Sequence, residues 1–228
     1  MALMLLGSIV ISFGGLAIRN IETADNWQIN FYRSIAFGLS ISIVLLFRYG
    51  KTGPQQLKGI GLEGILAAML LASASISFLQ AITNTTVAAT TFTLSSIPFL
   101  TAIMAWVFLG ERIGKSTILT IFIAAVGIFF MFVQGLGSGT FYGNFMALVC
   151  AVGFSFYTII IRRNRRLEML PTLILSNLII MLVALMFTWD NLLISWNDLL
   201  ICFILGGLLS ATVNTLFLVA AKHLFAAE

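Results

Sequence analysis

Long apolar runs separated by short polar connections dominate the pattern of this sequence. Most of them reach the roughly 18 residues that an α-helix needs to cross the hydrocarbon core of a bilayer. Eight such runs, numbered here as spans 1 to 8, cover residues 3–18, 27–47, 60–80, 86–109, 117–134, 142–161, 171–189 and 199–220. The pattern predicts an all-α fold, a polytopic membrane helix bundle of about eight transmembrane helices.

Two of these spans contain features that change the picture. Span 1 has no basic segment before it and no small-residue cleavage site before Arg19, so we interpret it as a retained helix and not as a signal peptide. Span 4 contains Pro98, which removes a backbone donor and clashes with the preceding turn, so a kink is predicted near Leu94. The hydroxyl groups that can satisfy the freed carbonyls are those of Thr86, Thr90, Thr91, Thr93, Ser95, Ser96 and Thr101.

Composition supports the membrane assignment, and charge gives the orientation. Hydrophobic residues make up 60% of the chain and charged residues only 9%, whereas soluble domains carry about 25% charged residues. The net charge of +4 does not indicate nucleic-acid binding, because the basic residues lie in connections between spans. Ten of the 12 Lys and Arg residues fall on one predicted face: Arg48, Lys51, Lys58, Arg112, Lys115, Arg162, Arg163, Arg165, Arg166 and Lys222. The positive-inside rule places this face and the N-terminus in the cytoplasm.

The chemistry that the spans lack is equally informative. No span centre carries Asp, Glu or His, so no proton-carrier site is visible. The chain has no Walker-type glycine loop, no His-Glu-x-x-His and no Ser/His/Asp set, which argues against an ATP-driven pump and against an enzyme. Cys150 and Cys202 lie inside apolar segments and are interpreted as packing residues. Neither a cofactor nor a metal site is predicted.

A weak internal repeat relates the two parts of the chain. A shift of 139 positions matches Gly14 to Gly153 and aligns spans 1, 2 and 3 with spans 6, 7 and 8. A unit of five helices is odd, so the second unit enters the membrane from the other side, as in the inverted repeats of many secondary carriers. We therefore predict a first repeat over residues 1–139 and an incomplete second repeat over 140–228. The chain is then a fragment of a ten-helix protein, which we favour, or an eight-helix variant.

Several segments carry a family resemblance in the expected order. They are Phe31-Tyr32-Arg33-Ser34, the stretch 78–91, Ile97-Pro98-Phe99 running on to Leu109-Gly110-Glu111, and the stretch 220–228. Together they resemble the drug/metabolite transporter superfamily, specifically its EamA-type ten-helix members. The resemblance implies a secondary transporter in the bacterial inner membrane that exports small metabolites, amino-acid-like compounds or drugs by alternating access. Substrate identity, transport direction, coupling ion and oligomeric state stay open.

Arg33 is the sharpest candidate for a functional side chain. It lies about two turns into span 2, where a charge is costly unless it faces a cavity or reaches the interface. Contact with the substrate or a gate is one interpretation. Snorkelling, or structural pairing with Glu22 or Asp25, is the other.

Amide and hydroxyl groups recur at helical spacing in spans 3 and 8. Ser77, Gln80 and Asn84 share one face of span 3, together with Ser73. Gly206, Ser210 and Asn214 do the same in span 8. A polar stripe can line a solute path, but hydroxyl and small residues also serve helix packing. We predict Ser77, Gln80, Asn84 and Asn214 as substrate-binding residues and Gly206 as a point of close helix approach.

Three further residues complete the set of expectations. Thr91 belongs to the hydroxyl-rich segment before Pro98, and Tyr157 could stack on a planar or cationic solute. Both are predicted to bind substrate. Glu111 is predicted to cap the helix of span 5 after the Gly110 break. The alternative function is a lipid-translocating or accessory membrane protein without solute transport, for which alanine at the candidate amides would be harmless.

Overall fold

A computed structural model describes residues 12–50, 59–164 and 169–214, without the side chains of residues 136–138. Every regular element within these ranges is helical. Parts of spans 1 and 8, residues 3–11 and 215–220, lie outside the described residues. The same holds for the resembling stretch at 220–228 and for five of the basic residues: Lys51, Lys58, Arg165, Arg166 and Lys222.

The predicted spans are confirmed as helices wherever the structure describes them. The elements in chain order are α1 (residues 12–19), α2 (Asn26–Tyr49), α3 (Gly61–Asn84), α4 (Val87–Leu94), α5 (Ile97–Leu109), α6 (Lys115–Ser138), α7 (Phe141–Arg163), α8 (Met169–Thr188) and α9 (Trp196–Phe203). A π-helical segment, Ile204–Ser210, continues α9. With α4–α5 and α9 to Asn214 each taken as one helix, seven described helices are long and apolar enough to cross a membrane.

The helix ends follow from local side-chain chemistry. Asp25 and Gln28 form a capping box at the start of α2: the Asp25 carboxylate accepts from the Trp27 amide at 3.0 Å, and Gln28 Oε1 accepts from the Asp25 amide at 2.8 Å. Gly110 ends α5 in the left-handed conformation, with φ of 69°, where glycine carries no steric penalty.

The predicted kink in span 4 is confirmed as a two-residue interruption of the helix at Ser95 and Ser96. α4 ends at Leu94, and α5 begins at Ile97, so that Pro98 occupies the first turn of the new helix. Proline is tolerated there, since the amides of a first turn have no helical partner. Ser95 Oγ donates to the Phe92 carbonyl at 2.6 Å, and Ser96 Oγ donates to the Thr93 carbonyl at 2.6 Å. The hydroxyls therefore satisfy carbonyls around the break, as the sequence predicted.

The described residues fall into two compact units. Unit A contains α1, α2, α8, α9 and the π-helical segment, and unit B contains α3 to α7. Each unit therefore holds helices from both predicted repeats.

Small residues allow close helix packing inside each unit. In unit B, α3 packs along α7, and both helices carry fully buried alanines: Ala67 and Ala68 on α3, Ala147 and Ala151 on α7. A Cβ on Gly153 would lie 3.3 Å from the Leu70 carbonyl oxygen. In unit A, α2 packs along α8 and against the π-helical segment. Cys150 and Cys202 are buried free thiols, as predicted for packing residues.

Apolar side chains also cover the outside of the units. Among the described membrane-length helices the most apolar is Lys115–Gly135 of α6, and its most apolar 18 residues include no buried side chain. Phe122 and Phe129 on this helix are 66% and 65% exposed. Large exposed apolar patches mark contact with a membrane or a partner, because exposing apolar surface to water is unfavourable. With seven membrane-length helices, the exposed surface fits a hydrocarbon solvent.

Candidate functional site

Arg33 is set apart by its depth in the helix. It is the only Asp, Glu, Lys or Arg of the seven described membrane-length helices that lies more than three residues from a helix end. It follows the start of α2 by seven residues, which corresponds to about 10 Å along the helix axis. The positive charge is therefore carried into the apolar part of the span.

Asn30, one turn before Arg33, is its neighbour on α2. Arg33 Nη2 donates to Asn30 Oδ1 at 3.2 Å, and the Asn30 side chain is fully buried. Asn30 Nδ2 has no hydrogen-bond partner among the described residues. The carboxylate of Asp25, one of the two partners predicted for Arg33, instead caps α2.

The π-helical segment lies directly against the backbone of Arg33. A Cβ on Gly206 would lie 2.1 Å from the carbonyl oxygen of Arg33, so the two helices touch at the backbone. The predicted close approach through Gly206 is confirmed. Ser210 Oγ donates to the Leu205 carbonyl at 2.7 Å, and Asn214 Nδ2 donates to the Ser210 carbonyl at 2.9 Å. π-Helical turns occur frequently at functional sites.

A hydrogen-bonded corner at the start of α2 was missed by the sequence reasoning. The fully buried Asp198 carboxylate accepts from the amides of Glu22 (3.2 Å), Thr23 (3.0 Å) and Ala24 (3.0 Å), and from the Thr23 hydroxyl. Gln28 adds a donation to the Asn191 carbonyl at 2.7 Å. Together they connect the α1–α2 turn and α2 to the start of α9 and the segment before it.

Tyr32 extends this corner one turn further along α2. Its hydroxyl donates to the Leu192 carbonyl at 2.5 Å. The corner thus reaches to within one residue of Arg33 in the sequence.

The predicted polar stripe of α3 is divided between buried and exposed residues in unit B. Ser77 and Gln80 are buried, with 6% and 7% exposure, whereas Asn84 is exposed. The Asn84 amide donates to the Gln80 carbonyl at 2.8 Å. The structure therefore keeps Ser77 and Gln80 inside the unit and turns the Asn84 amide back onto its own helix.

Asn144, a buried amide of α7, was also missed. It accepts from the Thr85 hydroxyl at 2.9 Å and donates to the Met131 carbonyl at 3.2 Å. A Cβ on the preceding Gly143 would lie 2.6 Å from the Asn84 carbonyl carbon. The turn between α3 and α4 is thus fixed to α7 by a close backbone contact and a bridging amide.

The remaining predicted residues of unit B lie apart from this contact. Thr91 is exposed, and its hydroxyl donates to the Val87 carbonyl at 2.8 Å. The ring of Tyr157 is partly buried and lies 5.7 Å from the ring of Phe154.

The capping role predicted for Glu111 is wrong. The N-cap of α6 is Gly114, with no side-chain bond, and Glu111 pairs with Arg162 at 2.8 Å. The carboxylate lies three residues before the cap, too far along the chain to define the helix start, and the Arg162 guanidinium is a stronger partner than the first-turn amides.

A shallow groove of about 270 Å³ lies where α4 breaks into α5. Its lining is mostly apolar and is completed by α6: Phe92, Ser95, Ser96, Phe99, Thr120, Ile123, Ala124 and Ile128. Among the described residues, no cluster of three or more His, Cys, Asp or Glu side chains could hold a metal ion.

Two polar centres therefore stand out, one in each unit. In unit A it is Arg33 with Asn30, beside the π-helical segment that leads to Asn214. In unit B it is the buried end of α3 with Ser77 and Gln80. Guanidinium, amide and hydroxyl groups bind polar solutes by hydrogen bonds and charge, and they offer no nucleophile–base pair.

Comparison with known proteins supplies the family. No curated protein and no solved structure matches the chain. The model of the EamA-like transporter family matches residues 1–133, which is more than half of the chain. Proteins of this family are membrane transporters of small molecules and not enzymes. This chain, with seven described helices of membrane length and a family match across its first five spans, belongs to the EamA-like transporter family.

Proposed function

We propose that the protein is a secondary transporter that exports small metabolites, amino-acid-like compounds or drugs by alternating access. The observation that carries the proposal is the family match over residues 1–133. The structure adds buried polar groups within membrane-length helices, which are costly there unless they serve packing or a solute. Gln80 and Asn30 are buried, and the partly buried Arg33 donates to Asn30.

An inverted repeat is the architecture on which alternating access commonly depends. Two packing contacts support the repeats proposed for residues 1–139 and 140–228. In unit A, a Cβ on Gly14 of α1 would lie 4.0 Å from Leu205. In unit B the repeat-related Gly153 of α7 packs on Leu70 of α3. The first helix of each repeat thus contacts the third helix of the other, as the symmetry requires.

For location, we propose the bacterial inner membrane with the N-terminus in the cytoplasm. The basic connections support this orientation, since Arg48, Arg112 and Arg162 all fall on the predicted inner face. The orientation can be measured by labelling single cysteines from either side of the membrane. Labelling from outside at residue 112 would contradict it.

Efflux from cells that express the complete protein tests the proposal. The cells are loaded with a panel of metabolites, amino acids and drugs, and retention and resistance are compared with cells that carry the empty vector. We expect altered export of at least one compound, weakened by Gln80→Ala or Asn214→Ala. The exposed Thr212→Ala on the same segment as Asn214 is the matched control.

Two outcomes argue against solute export. Unchanged retention across the whole panel, with protein verified in the membrane, refutes it. A cellular phenotype that survives alanine at Gln80, Asn84 and Asn214 favours the lipid-translocating or accessory alternative.

A further inference from the structure

Arg33 and Asn30 form a pair whose chemistry indicates the kind of solute that is carried. Both lie on α2, one turn apart, and the guanidinium donates to Asn30 Oδ1 at 3.2 Å. That contact fixes the orientation of the amide, since the oxygen faces the cation. The Nδ2 group is therefore the end of the amide that does not take part in the contact with Arg33.

The Nδ2 group is a buried donor in need of an acceptor. The Asn30 side chain is 0% exposed, and Nδ2 has no hydrogen-bond partner among the described residues. Buried polar groups in native proteins are nearly always paired, and an exception calls for an explanation such as a ligand. A cation and an unpaired amide donor side by side call for an oxygen anion.

The surroundings of the pair point the same way. The facing helix is π-helical over Ile204–Ser210, and Gly206 brings it into backbone contact with Arg33. A guanidinium presents a planar set of donors that matches a carboxylate, and such charge-assisted bonds are shorter than the observed 3.2 Å. A carboxylate is thus a better acceptor for Arg33 than the Asn30 oxygen is.

We propose that Arg33 and Asn30 bind a carboxylate group of the transported solute, with Arg33 supplying the charge and Asn30 Nδ2 a second donor. The inference rests on the proposed transport function and narrows its substrate class to anionic or zwitterionic carboxylates. Asn30 then acts as a specificity-determining residue that sequence reasoning did not single out.

Matched pairs of carboxylates and carboxamides test the assignment on the full chain purified in detergent. The probes are succinate against succinamide and phenylacetate against phenylacetamide, each measured by the shift of the thermal unfolding midpoint. The same compounds are then followed as tracers in proteoliposomes. We expect at least one carboxylate to stabilise the protein and to be transported, while its amide does neither.

Substitutions separate binding from folding. Asn30→Asp keeps the side-chain volume but places a negative charge beside Arg33, so carboxylate affinity should fall by about tenfold to a hundredfold. Arg33→Gln should have the same effect. Arg48→Gln, at the exposed end of the same helix, is the control and should leave affinity unchanged. If Arg33→Gln does not fold, Arg33→Lys and Asn30→Asp provide the test.

The outcomes separate this inference from the proposed function. Transport of neutral or cationic compounds, with carboxylate and amide indistinguishable, overturns the carboxylate site and leaves transport intact. Absence of any transport by the wild-type chain counts against both. Stabilisation by phosphatidylglycerol vesicles, but by no soluble carboxylate, identifies a lipid headgroup as the ligand and overturns the inference. Equal carboxylate affinity in Asn30→Asp and wild type also overturns the inference.

Discussion

The Asp198 carboxylate is predicted to be the main stabilising group at the corner between the α1–α2 turn and α9. It accepts three backbone amides and one hydroxyl, and its side chain is fully buried. Asp198→Ala removes all four bonds at once. Because Glu22 and Thr23 are exposed, the freed amides regain some hydration, so each bond counts at the net value of about 1 kcal/mol.

The expected loss in the free energy of unfolding is therefore about 4 kcal/mol for Asp198→Ala. Asp198→Asn should cost much less, about 1 kcal/mol, since its amide oxygen can take the place of Oδ2 and keep three of the four bonds. The amide nitrogen would then face the Glu22 N–H, and only that bond is lost. If the loss of hydrogen-bond acceptors is what destabilises the variants, the free energy of unfolding should decrease from wild type to Asp198→Asn to Asp198→Ala.

Unfolding in mixed micelles of increasing SDS content, followed by tryptophan fluorescence, measures these differences. Asp190→Ala is the matched control, because it removes the same charge from an exposed position just after α8. Its effect should stay near zero. If Asp198→Ala and Asp190→Ala unfold alike, or if Asn costs as much as Ala, the hydrogen-bond account of this corner is wrong.

Three further predictions concern close contacts and a surface ion pair. Gly206→Ala should destabilise by roughly 1–3 kcal/mol in the same unfolding assay, because its Cβ would meet the Arg33 carbonyl oxygen at 2.1 Å. Gly143→Ala should cost a similar amount, roughly 1–3 kcal/mol, through its contact with backbone of the α3–α4 turn. Gly38→Ala, with no atom within 4 Å of the new Cβ, is the control for both and should be neutral or stabilising. Arg162→Gln should change the free energy of unfolding by less than about 1 kcal/mol, because both partners of its ion pair are nearly half exposed. A larger loss that persists at 1 M salt would contradict this surface interpretation.

Apolar run length was enough to predict the membrane-length helices, and proline chemistry was enough to predict the kink near Leu94, before Pro98. Glu111 shows the limit of local reasoning. The sequence predicted that this carboxylate caps a helix. In the structure it pairs instead with Arg162, which lies 51 residues away in the chain. A side chain between two elements takes the best partner in space, and sequence distance does not rank those partners.

The candidate site was only partly predictable for the same reason. Arg33 could be singled out because a charged residue inside an apolar run can be recognised from the sequence alone. Its neighbour Asn30 could not, since a lone amide in a helix gains meaning only once its burial and its missing partner are known. The bridging role of Asn144 likewise depends on Thr85 and Met131, which no spacing rule connects to it.

The sequence by itself therefore determined that the chain lies in a membrane, where its helices run and which family it resembles. Each of these depends on composition or on the order of residues along the chain. The tertiary structure decided which polar groups are buried together, where α9 becomes π-helical and why Gly206 must be small. It also decided that Asp198, which the sequence shows only as a charge beside a span, holds three backbone amides. In an apolar medium the partners of a polar group set its energy, and those partners come from distant parts of the chain.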